Sequence, residues 1–133
     1  MSKVIGIISQ KGGVGKTTTC RNLATGLEKQ GYKVLAVDCD SSANMTECFG
    51  IESPEQLSHT LYHLMMSVIT DEDMPEKEIF IQRREGVDVI PSSIELSAVE
   101  INLTSAISRE FVLKTVIDEV KDDYDYVLLD GLL

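Results

Sequence analysis

A glycine-rich segment near the start of the chain carries residues suited to binding phosphate. It reads Gln10-Lys11-Gly12-Gly13-Val14-Gly15-Lys16-Thr17-Thr18 and joins an apolar run to a helical pattern. Glycines let the backbone turn tightly so that successive N–H groups point at phosphate oxygens, and a helix beginning at Thr17 adds the positive end of its dipole. We expect Lys16 to contact the β- and γ-phosphates of a nucleotide and the Thr17 hydroxyl to coordinate Mg²⁺. A glycine-rich turn that binds nothing is the alternative, which the flanking strand and helix disfavour.

The histidines and the cysteines do not predict a further metal site. His59 and His63 lie four positions apart on a predicted helix, a spacing that can present two ligands on one face. Neither a Glu-x-x-His arrangement nor a third ligand accompanies them, so partly exposed helix histidines are the preferred interpretation. The cysteines Cys20, Cys39 and Cys48 form no C-x-x-C pair. Their odd number favours a reducing cytosol over a disulfide framework.

The elements around the glycine-rich segment predict a βαβ unit. The apolar run from Val4 to Ile8 is typical of a strand buried on both faces of a parallel sheet. Residues Thr17 to Lys29 have helical spacing of apolar positions, and Gly31 is a helix stop signal. Residues Lys33 to Asp38 form a second buried strand that ends on an acid. A right-handed crossover is expected between the two strands.

The rest of the chain continues the alternation of strands and helices. The predicted elements are a helix over 57–68 after Pro54, a strand over 87–91, helices over 94–102 and 109–120, and a strand over 126–130. We therefore expect an α/β fold, with a mostly parallel sheet flanked by helices as in P-loop nucleotide hydrolases. Residues 1–133 are interpreted as the N-terminal part of one such domain, because the chain stops three residues after the last strand.

Composition limits the possible partners. The 133 residues, 43% of them hydrophobic, suffice for one core. Acidic residues outnumber basic ones by 22 to 12, for a formal charge of -10, so the stretch as a whole repels a phosphate backbone. No apolar run is long enough for a signal peptide or a membrane span. A cytoplasmic protein is expected.

Several segments together resemble the ParA-type partition ATPases. The general pattern G-x-x-x-x-G-K-[ST] asks for glycine where this chain has Gln10, and the extra lysine Lys11 is typical of the variant (deviant Walker A) loop of the ParA and MinD group. The similarity extends over Asn22-Leu23-Ala24, over 33–40 with Asn44 and Thr46, over 89–96 and over 124–130. It covers nearly all of the chain. Family members usually continue for about as long again.

The resemblance implies roles for individual residues. Lys11 would reach across an ATP-sandwich dimer to the partner's phosphates, and Asp40 would orient or activate the attacking water. Asp130 would support Mg²⁺ as the Walker B acid, with Thr17 and Asp40 as the other metal-binding candidates. The implied catalytic residues are thus Lys11 and Asp40. The implied ATP-binding residues are Lys11, Gly12, Gly13, Val14, Gly15, Lys16, Thr17 and Thr18.

Each of these roles has an alternative. Lys11 could be a solvated loop lysine, and Asp38 and Asp40 could be turn or helix-capping acids. The family continues after its Walker B acid with a proline-containing turn, whereas Gly131-Leu132-Leu133 follows Asp130 here. The loop that supports this acid therefore differs from the family pattern.

The resemblance also implies a function and partners. The expected protein is an ATP-hydrolysing partition protein for plasmids, chromosomes or mobile elements, with ATP and Mg²⁺ as cofactors. It would form an ATP-dependent homodimer, respond to a ParB-like centromere-binding protein and reach non-specific DNA, on the nucleoid, through residues beyond this chain. A MinD-like membrane-cycling ATPase is one alternative, although no membrane contact is expected of these residues. A non-catalytic nucleotide-binding fragment is another, because the chain alone is expected to hydrolyse little ATP.

Overall fold

Five strands form one sheet in the part of the chain that the computed structural model describes, which comprises residues 2–7, 14–103 and 105–131. The strands are β1 (Lys3–Ile7), β2 (Val34–Asp38), β3 (Gln82–Arg84), β4 (Val87–Ile90) and β5 (Tyr126–Asp130). Their order is β1-β5-β2-β4-β3, and β3 alone among them runs antiparallel to its neighbour. The mostly parallel sheet expected from the sequence is confirmed.

Helices cover both faces of this sheet. They are α1 (Val14–Lys29), α2 (Asn44–Cys48), α3 (Leu61–Ile69), α4 (Lys77–Phe80), α5 (Ser97–Asn102) and α6 (Ala106–Val120). Apolar side chains of α1 and α2 pack on one face, and those of α3, α5 and α6 pack on the other. Each residue of β2 is buried, and its side chains alternate between the two cores, with Ala36 in one and Leu35 and Val37 in the other.

The first strand lies where the sequence predicts it, but the prediction that it is buried on both faces is wrong. Val4 is 46% exposed, and Lys3 and Gly6 are exposed as well. The reason is the position of β1 at the edge of the described sheet, where β5 is its one partner strand. An apolar sequence pattern reports which side chains can be buried, whereas the strand order decides which of them have neighbours.

Helix boundaries also differ from the sequence prediction. Helix α3 begins at Leu61 rather than Leu57, because the backbone N–H of Thr60 donates to His63 Nδ1 over 3.0 Å at the start of the helix. His59 therefore precedes the helix, and the expected pair of histidines on one helix face is wrong. Helix α6 begins at Ala106, before the predicted Arg109. The short elements α2, α4 and β3 carry too little periodicity to be read from sequence.

Two of the three cysteines are buried inside the protein. Cys20 and Cys39 are buried and Cys48 is exposed, each as a free thiol. Burial raises the pKa of both internal thiols, and the nearby carboxylates add to this effect.

The described helices are either too short or too polar to span a bilayer.

Candidate nucleotide-binding site

Three strands bring their carboxyl ends to one edge of the sheet. Asp130 at the end of β5 lies in register with Ile7 of β1 on one side and with Asp38 of β2 on the other. In an open parallel sheet, ligands bind outside this edge, at the carboxyl ends of the strands. The strand order thus places two acids beside the point at which the chain leaves β1 for helix α1.

Helix α1 begins at Val14, three residues before the predicted start at Thr17. In an α-helix the N–H groups of the first four residues lack acceptors within the helix. Gly15 and Thr18 are exposed on this first turn. Backbone donors at the positive end of a helix dipole suit an anionic ligand such as a phosphate.

Lys16 points from this first turn towards two carboxylates. Its side chain is 7% exposed, and its Nζ lies 3.2 Å from Asp40 Oδ2 and 3.9 Å from Asp130 Oδ1. The cation is therefore paired with two acids. A polyphosphate in the same place would compete with these carboxylates for the lysine.

Thr17 and Asp130 form the second part of the site. The Thr17 hydroxyl donates to Asp130 Oδ2 over 3.4 Å. Asp130 Oδ1 is buried and accepts no hydrogen bond from the described residues, although Lys16 faces it. Burial raises the pKa of the Asp130 carboxyl, whereas Lys16 and the Thr17 hydroxyl lower it. A buried carboxylate oxygen with spare lone pairs beside a hydroxyl is a donor set that suits a hydrated Mg²⁺.

Asp40 is the more accessible of the acids. It lies in the loop after β2, and its side chain is 37% exposed. The backbone N–H of Ser42 donates to its Oδ1 over 3.0 Å, and Lys16 donates to its Oδ2. Burial opposes ionisation, but these contacts outweigh it and lower the pKa of the Asp40 carboxyl. Asp40 is therefore an ionised carboxylate within reach of solvent.

Asp38 has a different environment from Asp40. It is fully buried and accepts three hydrogen bonds: from the backbone N–H of Asp40 (3.1 Å), from the backbone N–H of Thr46 (3.0 Å) and from the hydroxyl of Thr46 (2.7 Å). Burial raises the pKa of Asp38 to about 6, against the effect of these hydrogen bonds. These contacts fit the alternative that Asp38 is a turn or helix-capping acid, because Asp38 joins the end of β2 to the first turn of α2.

Gly131 follows the buried acid and makes room for the lysine. Its φ of +87° lies in the left-handed region, and a Cβ at this position would stand 2.8 Å from Lys16 Nζ. Its backbone N–H donates to the carbonyl of Ile7 over 2.9 Å. The departure from the family's proline-containing turn thus coincides with a backbone conformation that favours glycine.

The structure brings together Lys16, Thr17, Asp40 and Asp130 of the residues predicted from sequence. Val14 is described by its backbone alone, and Lys11, Gly12 and Gly13 lie outside the described residues, so their roles stay predictions. Sequence reasoning assigned no role to Thr46, Ser92 or Gly131. Thr46 and Ser92 belong to the segments that carry the family resemblance, but their pairing across 46 positions of the chain gives no local signal.

Comparisons with known proteins show which family this chain is similar to. A family model described as an AAA domain matches residues 2–132. The chain is 42% identical over 130 residues to the sporulation initiation inhibitor protein Soj of Bacillus subtilis, an alignment that covers 98% of this chain and 49% of Soj.

Solved structures of similar fold include one with a bound nucleotide. The structure of cobyrinic acid a,c-diamide synthase from Mycobacterium smegmatis, with an ATP analogue and magnesium, matches with a TM-score of 0.84 at 30% identity over 98% of this chain and 51% of that one. A plasmid partition protein from Borrelia burgdorferi matches with a TM-score of 0.77 at 31% identity over 98% of this chain and 56% of that one.

This chain therefore spans about half the length of the relatives that it matches. The family match over residues 2–132, the similarity to Soj and to the plasmid partition protein, and the lysine and acids at the carboxyl edge of a parallel sheet lead to one assignment. The chain belongs to the ParA-type family of P-loop ATPases.

Proposed function

We propose that the whole protein is an ATP-hydrolysing partition protein that segregates plasmid, chromosomal or mobile-element DNA. This chain would supply the residues that bind the phosphates and Mg²⁺. The observation that carries the proposal is the convergence of Lys16, Thr17, Asp40 and Asp130 at one edge of the sheet. The names of the relatives support the partition role, since one is a plasmid partition protein and another is Soj.

Bound Mg²⁺ would neutralise charge on the β- and γ-phosphates during their separation. Thr17 and Asp130 would hold it, with the buried Asp130 Oδ1 accepting hydrogen bonds from its water ligands. Asp40 is the third predicted ligand, and its accessible carboxylate is also free to accept a hydrogen bond from a water molecule. The fit of this donor set supports ATP with Mg²⁺ as the cofactors.

Three residues would divide the work of hydrolysis. Lys16 would exchange its carboxylate partners for phosphate oxygens and stabilise the charge that develops on them. Asp40, released from the lysine, would orient the attacking water and take up its proton. Asp38 would hold the backbone of the loop that carries Asp40.

Dimerisation and partner binding would depend on residues outside the described ranges. Lys11 would reach the phosphates of a second subunit in an ATP-sandwich dimer, where a cation supplied in trans stabilises the transition state. A ParB-like partner would stimulate turnover. Because this chain carries a formal charge of -10, non-specific DNA binding on the nucleoid is assigned to the part of the protein beyond it. A cytoplasmic location follows from the proposed role.

Nucleotide binding tests the site itself. Titration calorimetry with ATP and Mg²⁺ is expected to give saturable binding that Lys16→Ala abolishes, because the site loses the cation that faces the phosphates. Lys114→Ala is the matched control, since Lys114 forms an exposed ion pair with Asp118 on helix α6. Undiminished affinity in Lys16→Ala would contradict the assignment of the phosphate site.

Turnover and dimerisation test the mechanism. In the whole protein, Lys11→Ala is expected to bind ATP normally while losing ATP-dependent dimers in sedimentation and losing phosphate release. Normal dimers with normal hydrolysis would remove the trans role of Lys11. ATP binding without any hydrolysis by the unaltered protein, with DNA and the centromere-binding partner present, would instead favour a non-catalytic nucleotide-binding protein.

A further inference from the structure

The loop that carries Asp40 is held at both of its peptide groups. The N–H of Asp40 donates to Asp38 Oδ1 over 3.1 Å, and the carbonyl of Asp40 accepts from the hydroxyl of Ser92 over 2.7 Å. One of these partners ends β2 and the other follows the neighbouring strand β4. The carbonyl of Asp40 also accepts from the backbone N–H of Ala43 over 3.0 Å within the loop. The Asp40 backbone is therefore held by two strands of the sheet as well as by its own loop.

The Thr46 hydroxyl connects the two holding residues. It donates to Asp38 Oδ2 over 2.7 Å and accepts from the backbone N–H of Ser92 over 2.9 Å. Because a hydroxyl has one proton, the donation to Asp38 leaves its lone pairs for the Ser92 N–H. Thr46, Asp38 and Ser92 are all fully buried, so water cannot replace a lost contact without a change in the surrounding packing.

We infer that Thr46 and Ser92 are positioning residues that fix the Asp40 carboxylate for catalysis, through Asp38 on one side and the Asp40 carbonyl on the other. This inference rests on the proposed function, since it assigns to Asp40 the task of orienting water. The hydroxyls of Thr46 and Ser92 bond Asp38 and the Asp40 carbonyl, whereas Lys16 and Thr17 are the residues proposed to face the phosphates and Mg²⁺. The network therefore acts on the rate of the chemical step and leaves nucleotide binding to other residues.

The expected loss of catalytic rate follows from the geometry that catalysis requires. A displacement of a reacting group by about 1 Å can cost on the order of 100-fold in rate, and supporting hydrogen bonds around a site typically contribute about 10- to 100-fold. Thr46 donates two hydrogen bonds to Asp38, one from its backbone N–H and one from its hydroxyl. Removal of the hydroxyl leaves the backbone bond in place. It also leaves the backbone N–H of Ser92 without its acceptor. The carboxylate of Asp40 then rests on a loop with fewer constraints.

The test measures kcat and KM for ATP in the whole protein with Mg²⁺. Thr46→Val and Ser92→Ala are expected to lower kcat by about 10-fold or more while KM and the affinity for a fluorescent ATP analogue stay within about twofold. Thr46→Ser keeps the hydroxyl and is expected to restore most of the rate. Thr115→Val and Ser97→Ala are matched controls, because their hydroxyls donate to the carbonyls of Phe111 and Ile94 rather than to the network around Asp40.

A second readout does not require turnover. Amide hydrogen exchange at Asp40 and Ser92 is expected to accelerate in Thr46→Val and to return towards the unaltered rate in Thr46→Ser. Unchanged kcat in folded Thr46→Val and Ser92→Ala, or an equal loss in Thr46→Ser, would overturn the positioning role. Accelerated exchange in a protein that binds ATP but never hydrolyses it would instead refute the proposed function and leave the network a structural one.

Discussion

Lys16 Nζ lies 3.2 Å from Asp40 Oδ2, so the cation expected to bind phosphate is paired with the acid expected to orient water. The lysine is nearly buried, whereas the acid is partly exposed. A bound polyphosphate would take the lysine and leave the carboxylate available to a water molecule. Under the proposed function, the ion pair would link the arrival of the nucleotide to the release of Asp40.

The first prediction follows from this ion pair. Asp40→Asn is expected to slow phosphate release by about 10-fold or more, which is typical of the loss of a positioned base, while ATP affinity is retained or increased. The affinity can increase because the variant removes an anion that competes for Lys16. Calorimetry and a phosphate-release assay measure the two effects. A fall in affinity with unchanged turnover would show that Asp40 acts in binding alone.

Gly131 provides the second prediction. Gly131→Ala is expected to weaken ATP binding and to destabilise the fold by about 1 kcal/mol, because the new methyl group would displace Lys16 Nζ and the backbone is left-handed. Gly26→Ala is the matched control, since this residue lies in helix α1 and the methyl group added there would meet nothing within 4 Å. Equal ATP affinities in the two variants would contradict the proposed contact.

Ala43 provides the third prediction, which concerns stability. This residue has a φ of 57° in the loop before α2, a conformation that costs an L-residue roughly 1–2 kcal/mol and costs glycine little. Ala43→Gly relieves this strain, but it adds the chain entropy of glycine and removes a buried methyl group. It is therefore expected to change the free energy of unfolding by less than about 0.5 kcal/mol, whereas Ala98→Gly, within helix α5, is expected to lower it by about 0.5–1 kcal/mol. Urea denaturation would measure both, and an equal or larger loss in Ala43→Gly would contradict the strain.

The fourth prediction concerns pH. Burial raises the pKa of Asp38 to about 6 from its ordinary value of 3.8, so the carboxyl ionises more readily in the unfolded chain. Its contribution to stability is fully present below about pH 4 and is lost as the pH rises through about 6, by an amount on the order of 3 kcal/mol. In Asp38→Asn, the free energy of unfolding is expected to decrease less over this pH range than in the unaltered protein. In Asp73→Asn, which changes an exposed residue, the decrease is expected to stay the same. Identical slopes in all three proteins would contradict the prediction.

Sequence patterns located most residues of the candidate site because these patterns depend on neighbours along the chain. An apolar run followed by glycines and a helical pattern placed Lys16 and Thr17 at the start of α1, and apolar runs that end on acids placed Asp38 and Asp130 at strand ends. Local spacing is sufficient for such features, since side chains alternate on a strand and repeat every 3.6 residues on a helix. By itself the sequence therefore determined which residues are the candidates for binding phosphate and metal.

Only the tertiary structure decided which of those residues meet. The order β1-β5-β2 sets Asp130 between Ile7 and Asp38, and it leaves Val4 exposed on a strand expected to be buried. The contact between Thr46 and Ser92 likewise depends on β4 lying beside β2. Strand order is set by the packing of apolar surfaces that are distant along the chain. Such packing leaves no periodic signal in any one segment.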